Sequence, residues 1–541
     1  MRIERTFTQA GVRMFVAAAC GLAAISVAPG RARAQLKDVF QAPNAVNEGI
    51  HKTFAQEIGA GRGDVFTPGS SLYNIGRDPF RAIRRGRQLF QRKFLLSDGL
   101  GDDNRQGNIN RDPTIGAGLA DSCAGCHGRP RGSAGHGGDT YTRPDSRDAR
   151  HLFGLGLQEM LADEITTELR QMRADAITAA RNTRMTQTID LVSSKGPSYG
   201  QLVVRPNGRI DTSGVEGIDA DLRVRPFQEQ GGVISIREMV VDELKAEMGL
   251  EAPDTDLLIA SRGGRVVTPS GMVLDGRADN IDAPPVSTPN QDGDGDGRTN
   301  EIPIAIVDYF ESYLLNSFEP AVGQVSAEAQ LGRAIFTQIG CSSCHVPNLP
   351  IDVDRRIVDV DTEFDAVNGG PFNGLFATIT SLVASPAAAV APAARGLPPL
   401  QPPAGAGVLV RNVFTDFKRH DVGPAFYERN FDGSLQTMFM TTPLWGVATT
   451  APYGHDGRSA TAEQAILRHG GEAEFSRDIY AALSRDNQLW VLDFLGSLEL
   501  FPPEDTASNL QPADPTAATF PQTGHGAIAL TSLFLNPRDL E

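Results

Sequence analysis

The chain of 541 residues carries a formal net charge of −16 at pH 7, and 40% of its residues are hydrophobic. Its length suits two or three domains with real hydrophobic cores. The acidic balance argues against nucleic acid and anionic membrane surfaces as partners, so a partner protein should be basic or matched in redox potential.

The N-terminal residues predict a secretory signal peptide over 1–34. Three arginines precede an apolar run over 14–28, and Ala32-Arg33-Ala34 before Gln35 forms a small-residue cleavage site. The run is too short to span a bilayer, and no other stretch approaches about eighteen apolar residues. We therefore expect a periplasmic or secreted protein with no membrane span.

After a polar, glycine-rich loop at 35–76, a helix is predicted to begin at Pro79 with Asp78 as its N-cap. This helix contains Gly86-Arg87-Gln88-Leu89-Phe90, which recurs in similar form as Gly332-Arg333-Ala334-Ile335-Phe336. Each copy comes shortly before a Cys-x-x-Cys-His motif. The internal repeat predicts two related units, of which the first is the more elaborate.

The two motifs are Cys123-Ala124-Gly125-Cys126-His127 and Cys341-Ser342-Ser343-Cys344-His345. Two thiols at this spacing can both add to one haem, and the adjacent histidine then supplies an axial nitrogen to the iron. A zinc site would need two such pairs brought together, and a redox dithiol would need only one. The remaining cysteine, Cys20, lies in the signal peptide. The motifs therefore predict two covalently bound haems c, with irons held by His127 and His345.

The chain between the motifs is predicted to be largely helical. Helices are expected over 154–181, 236–248 and 304–318, with short strands or extended segments within 198–240 and mostly loop over 250–300.

The end of that loop is an acidic run with Asp292, Asp294 and Asp296. Alternating aspartates and turn glycines match the first half of a calcium-binding loop, but the twelfth position, where such a loop has glutamate, is Pro303. Glu301 is the alternative ligand. A calcium site and a solvated acidic turn both fit the pattern.

The chain after the second motif contains an Ala/Pro-rich stretch at 383–408 and a predicted closing helix at Ser484–Leu498. We predict a mainly α fold with two cytochrome c-like haem domains, long loops and a few short strands. The N-terminal haem domain is expected at 35–318 and the C-terminal one at 319–505, followed by a tail at 506–541.

His469 is the predicted second axial ligand of the C-terminal haem. A capping box, Thr461-Ala462-Glu463-Gln464, starts a short helix on which Ala462, Ala465, Ile466 and His469 share one apolar face. A lone inward histidine is usually an ordinary core residue. A buried haem in the same unit favours ligation instead.

Six stretches of the chain, taken together, are typical of one family. They are Asp98–Gly101, Ser122–Gly128, Leu222–Phe227, Thr441–Gly446, Ala451–Arg458 and Ile466–Ala473. Over about 80–500 their combination resembles the di-haem oxidoreductase branch of the bacterial di-haem cytochrome c peroxidase superfamily. In the peroxidases proper the position of His469 is a methionine. The resemblance therefore implies bis-histidine ligation here, with a lower haem potential.

The resemblance also implies roles at the N-terminal haem. This haem would bind hydrogen peroxide, and His136, in a glycine-rich loop, resembles the labile histidine of the relatives. An exposed loop histidine is the equal alternative, and His151 is the runner-up. Glu159, the nearest downstream carboxylate, is a candidate for moving the peroxide proton.

Other family-pattern residues lie nearer the C-terminal haem. Trp445 is a candidate for electron transfer between the haems, with an ordinary core aromatic as the alternative. His420 and His455 are expected to have structural roles. In the superfamily, a calcium ion lies between the haem units, partly on backbone oxygens of the segment that matches Thr450 and Pro452.

These assignments predict a peroxidase-type oxidoreductase. Electrons from a donor protein or a small reductant would enter at the His345/His469 haem, pass to the His127 haem and reduce hydrogen peroxide there. Two alternatives stay open. One is a di-haem oxygenase resembling the rubber-cleaving enzymes, and the other is a non-enzymatic electron-transfer cytochrome.

Overall fold

The computed structural model describes the greater part of the chain between residues 71 and 500. The described residues are 71, 75, 79–101, 120–128, 148–316, 325–359, 381–383, 407–430 and 433–500. The predicted signal peptide at 1–34 and the predicted tail at 506–541 lie outside them. So do most of the predicted loop at 35–76 and most of the Ala/Pro-rich stretch at 383–408. The predicted domain boundaries stay predictions.

Helices precede both haem motifs and close the regions that follow them. They are α1 (Pro79–Gln91), α2 (Cys123–His127), α3 (Leu155–Thr183), α4 (Ile236–Met248), α5 (Thr255–Ser261), α6 (Ile304–Leu315), α7 (Ala327–Gln338), α8 (Ala462–Arg468), α9 (Glu474–Ala482) and α10 (Arg485–Gly496). Short 3₁₀ turns lie at Leu96–Asp98, Cys341–Ser343 and Gly471–Ala473. Among the helices described, none is both long enough and apolar enough to cross a membrane.

Side-chain caps fix the starts of several helices. Ser235, Ser326, Thr461 and Ser484 each accept a hydrogen bond from the backbone N–H three residues further on. Each cap satisfies one of the N–H groups that a helix leaves unpaired at its start. The helices predicted at 154–181, 236–248, 304–318 and 484–498 are all present, to within a few residues.

The strands are short and form several small antiparallel sheets. They are β1 (Gln187–Val192), β2 (Ser198–Val204), β3 (Ile210–Asp211), β4 (Arg265–Val267), β5 (Val273–Asp275), β6 (Leu349–Ile351), β7 (Ile357–Asp359), β8 (Ser381–Val383), β9 (Val408–Val410), β10 (Arg419–Asp421), β11 (Glu428–Arg429), β12 (Leu435–Gln436) and β13 (Met438–Met440). β1, β2 and β3 form a meander, and the other pairs are β4–β5, β6–β9, β7–β8, β10–β13 and β11–β12. The β10–β13 pair sets His420 opposite Phe439.

The predicted mainly α class with two cytochrome c-like domains is wrong, because the fold is mixed α/β. Helices account for 38% and strands for 15% of the structure. β1 lies where no element was predicted, and β4 and β5 lie inside the predicted loop at 250–300. Many strands have only two or three residues and pair with distant segments, as β6 does with β9. Strands this short carry too few residues to show an alternating pattern in the sequence.

The two copies of the Gly-Arg-x-Leu/Ile-Phe repeat lie in equivalent surroundings. Gly86 lies where α1 packs on α6, and a Cβ there would come within 2.0 Å of the carbonyl oxygen of Tyr309. Gly332 lies where α7 packs on α10, and a Cβ there would come within 1.7 Å of the carbonyl oxygen of Trp490. In both copies, glycine permits a helix contact that any side chain would block.

Three clusters of buried apolar side chains pack these elements together. The first is built on α1, α4 and α6, the second on α3 with β1 and β2, and the third on α7 and α10. Both haem motifs lie against such a core: Cys123 and Cys126 pack on the first, and Cys341 packs on the third. Trp445 is buried in the second.

Candidate haem-binding site

A cavity of about 350 Å³ lies beside the second Cys-x-x-Cys-His motif. Cys341, Cys344 and His345 line it, and so does His469. The lining is rich in apolar side chains, among them Phe336, Leu444, Val447, Ala462, Ala465, Ile466 and Leu495. All four residues of the predicted α8 face therefore line the cavity, and the predicted inward orientation of His469 is confirmed. The volume and the apolar walls are typical of a cofactor pocket.

A tight turn after α7 presents His345 to this cavity. Gly340 adopts a φ of 95°, and the backbone N–H of His345 then donates to the carbonyl oxygen of Cys341 at 3.0 Å. Nδ1 of His345 lies 3.1 Å from the carbonyl oxygen of Phe414. Because a carbonyl only accepts, Nδ1 carries the proton and Nε2 keeps its lone pair. Burial, together with the nearby His469, lowers the pKa of His345 to about 4, so the ring is neutral as a ligand must be.

His469 directly follows the last residue of α8 and has the same tautomer. Its Nδ1 lies 2.7 Å from the carbonyl oxygen of Ala465, so the lone pair is on Nε2. The ring of Phe426 packs against the imidazole, with ring centroids 5.3 Å apart. Burial lowers the pKa of His469 below its ordinary value. Two neutral imidazoles, His345 and His469, therefore line one cavity, and each has its lone pair on Nε2.

His127 in the first motif is held in the same way as His345 in the second. Its Nδ1 lies 2.7 Å from the carbonyl oxygen of Arg150. The last residue of the repeat flanks each ring: Phe90 lies 6.4 Å from His127, and Phe336 lies 6.0 Å from His345, between ring centroids. The interplanar angles are 54° and 51°. The repeat thus positions both motif histidines alike.

The four motif cysteines are free thiols and form no disulfide. Burial raises the pKa of Cys123 to about 12 and that of Cys341 to about 11. Both thiols are therefore protonated at neutral pH and sit in apolar surroundings. Each motif offers two thiols and one histidine, which fits the attachment of one haem to each motif.

Two other described histidines are bonded to carboxylates rather than to carbonyls. His420 contacts Asp416 through Nε2 at 2.9 Å and Glu472 through Nδ1 at 2.7 Å. Although burial lowers the pKa of His420, the hydrogen bond to Asp416 helps to raise it to about 11. His455 contacts Glu428 through Nε2 at 3.1 Å and stacks on the ring of Phe439. These contacts fit the predicted structural roles and leave no lone pair on His420 for iron.

His151, the predicted runner-up at the N-terminal haem, uses both ring nitrogens within the protein. The backbone N–H of Phe153 donates to Nδ1 at 3.3 Å, so Nε2 carries the proton and donates to the carbonyl oxygen of Trp445 at 2.8 Å. The predicted labile ligand, His136, lies outside the described residues.

Arg150 and His151 connect the first motif to the wall of the cavity. The carbonyl of Arg150 accepts from His127, while its guanidinium pairs with Glu229 at 2.8 Å and donates to Thr442 at 3.3 Å. Arg150, His151 and Trp445 all line the cavity. A continuous set of bonds and hydrogen bonds therefore runs from the His127 ring to Trp445.

Trp445 is fixed in place from three sides. Its indole N–H donates to the carbonyl oxygen of Arg411 at 3.1 Å, and its own carbonyl accepts from His151. Gly154 has a φ of 74° and lies against the indole face, where a Cβ would come within 2.5 Å of the ring. Trp445 is thus both a core aromatic and a neighbour of the cavity.

Glu159 does not line the large cavity, although Gln158 does. It lies in a separate small cavity with Arg237, Glu311 and Asp359, where it accepts from the backbone N–H of Ile236 at 3.1 Å. Burial raises the pKa of Glu159 to about 8 and raises that of Glu311 well above its ordinary value. The predicted proton-moving role of Glu159 stays a prediction.

Asp292, Asp294 and Asp296 do come together, each with one carboxylate oxygen within 4.8 Å of the others. A second group of the same compactness consists of Glu251, Asp294 and Glu301. Glu251 was not predicted from the sequence, since it lies in no motif. Only the tertiary structure brings it close to the acidic loop.

The comparison with protein families gives a match in a part of the chain that lines this cavity. Residues 404–498 match the family model described as "Di-haem oxidoreductase, putative peroxidase". The predicted resemblance to the di-haem oxidoreductases is confirmed. The matched segment contains Trp445 and His469, which line the large cavity, and Phe414, whose carbonyl oxygen lies near Nδ1 of His345. No curated protein matches the chain.

The family description supports an oxidoreductase that uses haem and acts on peroxide. The matched residues, 404–498, include neither Cys-x-x-Cys-His motif, since both motifs precede residue 404. The di-haem oxidoreductase match and the motif geometry are therefore separate observations that point to the same cofactor.

Proposed function

We propose that the protein is an exported di-haem c-type enzyme that reduces hydrogen peroxide. Peroxide would be reduced at the haem of the first motif, Cys123–His127, and electrons would enter at the haem of the second, Cys341–His345. The reaction consumes one hydrogen peroxide, two electrons and two protons and yields two water molecules. A donor protein or a small reductant of the periplasm would supply the electrons. A haem held by the first motif would supply the peroxide chemistry.

The pairing of His345 with His469 on one cavity carries this proposal. Each ring donates its Nδ1 proton to a backbone carbonyl, which fixes the ring and raises its basicity as a ligand. Both rings would hold a haem bound in this cavity, which would make the site suited to electron entry and not to binding peroxide.

The first motif differs from the second in its described surroundings. His127 is oriented by Arg150 as His345 is by Phe414, but His151, the nearest downstream histidine described, is committed to Trp445 and Phe153. The remaining candidate for the far side is His136, which we expect to be displaced before peroxide binds.

Electron transfer between the two sites is proposed to follow Arg150, His151 and Trp445. The carbonyl of Arg150 holds His127, and the ring of His151 is hydrogen bonded to Trp445 on the cavity wall. The role of these residues would be to keep the two sites at a fixed separation and to connect them by bonded atoms.

Covalent attachment through the four motif cysteines and export are both part of the proposal. In bacteria, c-type haem attachment takes place outside the cytoplasm, and residues 1–34 have the pattern of a secretory signal. Calcium is proposed as a structural ion of the acidic region near 292–301. The N-terminal residue of the exported protein should be Gln35, which sequencing of the mature chain checks.

The proposal is tested on the full-length chain expressed with a c-type haem maturation system. The pyridine haemochrome spectrum should report two c-type haems per chain, and the double variant Cys341→Ala/Cys344→Ala should report one. With a reduced one-electron donor, the wild type should consume peroxide catalytically. One haem or none in the wild type would overturn the proposal.

Ligand binding separates peroxide reduction from the two alternatives. Carbon monoxide and cyanide should bind one of the two haems, namely that of His127. Binding to neither haem would show an electron-transfer cytochrome. Stable dioxygen on the protein as isolated would show an oxygenase resembling the rubber-cleaving enzymes.

A further inference from the structure

The acidic loop and its neighbours form two overlapping carboxylate groups that share Asp294. In the predicted calcium triad, Asp292 and Asp296 use their carboxylate oxygens for contacts within the loop. Both oxygens of Asp292 accept backbone N–H groups, at 2.7 and 3.0 Å, and both oxygens of Asp296 are bonded to Arg298, at 2.7 and 3.1 Å. Asp292 and Asp296 therefore have partners within the loop for both of their carboxylate oxygens.

Glu301 is different, because one of its carboxylate oxygens is buried and has no partner. The residue is 4% exposed, and its Oε2 accepts from the backbone N–H of Glu251 at 2.8 Å. Its Oε1 is buried and accepts no hydrogen bond. A buried carboxylate oxygen without a donor or a cation destabilises the fold, because the oxygen has lost its water and gained no partner.

Other carboxylates lie close to Glu301, which makes the cost larger. Glu251 is 6% exposed, and Glu251, Asp294 and Glu301 each offer an oxygen within 4.8 Å of the others. Carboxylates this close repel one another. A bound cation would relieve both the missing partner and the repulsion.

We propose that Glu251, Asp294 and Glu301 bind a calcium ion. The donors are all carboxylate oxygens, which are the ligands that calcium prefers, and the set combines a loop residue with two buried glutamates. This site differs from the first-half calcium loop expected at Asp292–Asp296. It also differs from the superfamily ion near Thr450 and Pro452.

The proposed ion would join three segments of the N-terminal haem unit. Glu301 packs on Gly99, in the loop that follows α1, where a Cβ would come within 2.6 Å of Oε1. Glu251 follows the end of α4, and α6 begins three residues after Glu301. Because α1 packs on α6 at Gly86, the ion would stabilise the unit that carries His127 without lining the cavity at His345.

The test uses the full chain with both haems, treated with a chelator and then titrated with calcium by calorimetry. The wild type should bind one more equivalent of calcium than Glu301→Gln, or bind it at least tenfold more tightly. Calcium should raise the melting temperature of the wild type by about 2–5 °C at saturating concentration. It should not do so in Glu301→Gln. Glu328→Gln, an exposed change on α7, should behave as the wild type.

Several outcomes would overturn the site. An equal calcium response in Glu301→Gln and the wild type would do so, as would an equal response to magnesium at the same concentration. Loss of binding in Asp292→Asn with retention in Glu301→Gln would assign the ion to the sequence-predicted loop. If Glu301→Gln does not fold, Glu251→Gln takes its place with the same expectations. An ion near Thr450 and Pro452 would be retained in every variant. The test therefore depends on the difference in calcium binding between the wild type and each variant.

Discussion

The imidazole of His151 donates from Nε2 to the carbonyl oxygen of Trp445 at 2.8 Å, across 294 residues of sequence. The backbone N–H of Phe153 donates to Nδ1 of His151. The proton of the ring is therefore on Nε2, and His151 is the donor to Trp445. The same short segment holds His127 through the carbonyl of Arg150. One dipeptide, Arg150-His151, therefore connects the first Cys-x-x-Cys-His motif to the wall of the cavity beside the second motif.

Replacing His151 with phenylalanine should cost about 1–2 kcal/mol in the free energy of unfolding, because a half-buried carbonyl loses its donor. Electron equilibration between the haems should slow, as followed by stopped-flow reduction. His151→Gln, which keeps a donor, should lie between the two. A change of the His127 haem from low-spin to high-spin in His151→Phe would instead show that His151 is an iron ligand.

Removing the imidazole of His469 should open one haem alone. We expect His469→Ala to make the C-terminal haem high-spin or able to bind carbon monoxide, and to raise its potential, because one of two axial nitrogens is lost. Electron paramagnetic resonance and redox titration measure these changes. The signals of the His127 haem should stay as in the wild type.

The matched control for that change is His455→Gln, since His455 also lines the cavity but is bonded to Glu428. Both haem spectra should persist in the control. Unchanged spectra in His469→Ala would mean that His469 is a core histidine, and the far ligand would then have to be sought at Met438 or Met440.

The repeated glycines should tolerate no side chain. Gly332→Ala should lower the free energy of unfolding by about 2–4 kcal/mol, because the new Cβ would overlap the carbonyl of Trp490. Gly496→Ala is the control, since it is also a helical glycine but has no atom within 4 Å of the added Cβ. It should be neutral or stabilising by about 0.5–1 kcal/mol. Equal effects in denaturant titrations would refute the packing role of the repeat.

The small cavity around Glu159 should make stability depend on pH. Because burial raises the pKa of Glu159 to about 8, its contribution is complete below the unfolded pKa near 4.5 and is lost as the pH rises through 8. Glu159→Gln should therefore be more stable than the wild type by about 2–4 kcal/mol at pH 9 and close to it at pH 5. Part of the pH dependence should persist, since the pKa of Asp359 is also raised, by burial, to about 7.

Glu328→Gln, at an exposed position, provides the control for that comparison. Thermal unfolding at several pH values gives the readout. A constant difference between Glu159→Gln and the wild type from pH 5 to pH 9 would mean that Glu159 keeps its ordinary pKa.

The sequence by itself determined the chemistry that depends on local spacing. Cysteines three positions apart with an adjacent histidine predict haem attachment, because the reacting atoms belong to one turn of chain. The inward face of α8 was also predictable, since a helix repeats every 3.6 residues and Ala465 must lie one turn from His469. The repeat around Gly86 and Gly332 was recognisable in the sequence. The structure explains it, because each glycine permits a close contact between two helices.

Tertiary structure alone decided which histidines have a lone pair to give. The partners that fix them are the backbone carbonyls of Arg150, Phe414 and Ala465. Because every residue has a backbone carbonyl, the sequence does not show which one a histidine contacts. The small sheets escaped prediction for a related reason, because β6 finds β9 only after a long excursion of the chain. Glu251 and Glu301 meet in the same way: their burial side by side, with no donor to Oε1 of Glu301, is a property of the fold, since nothing local forces two carboxylates together.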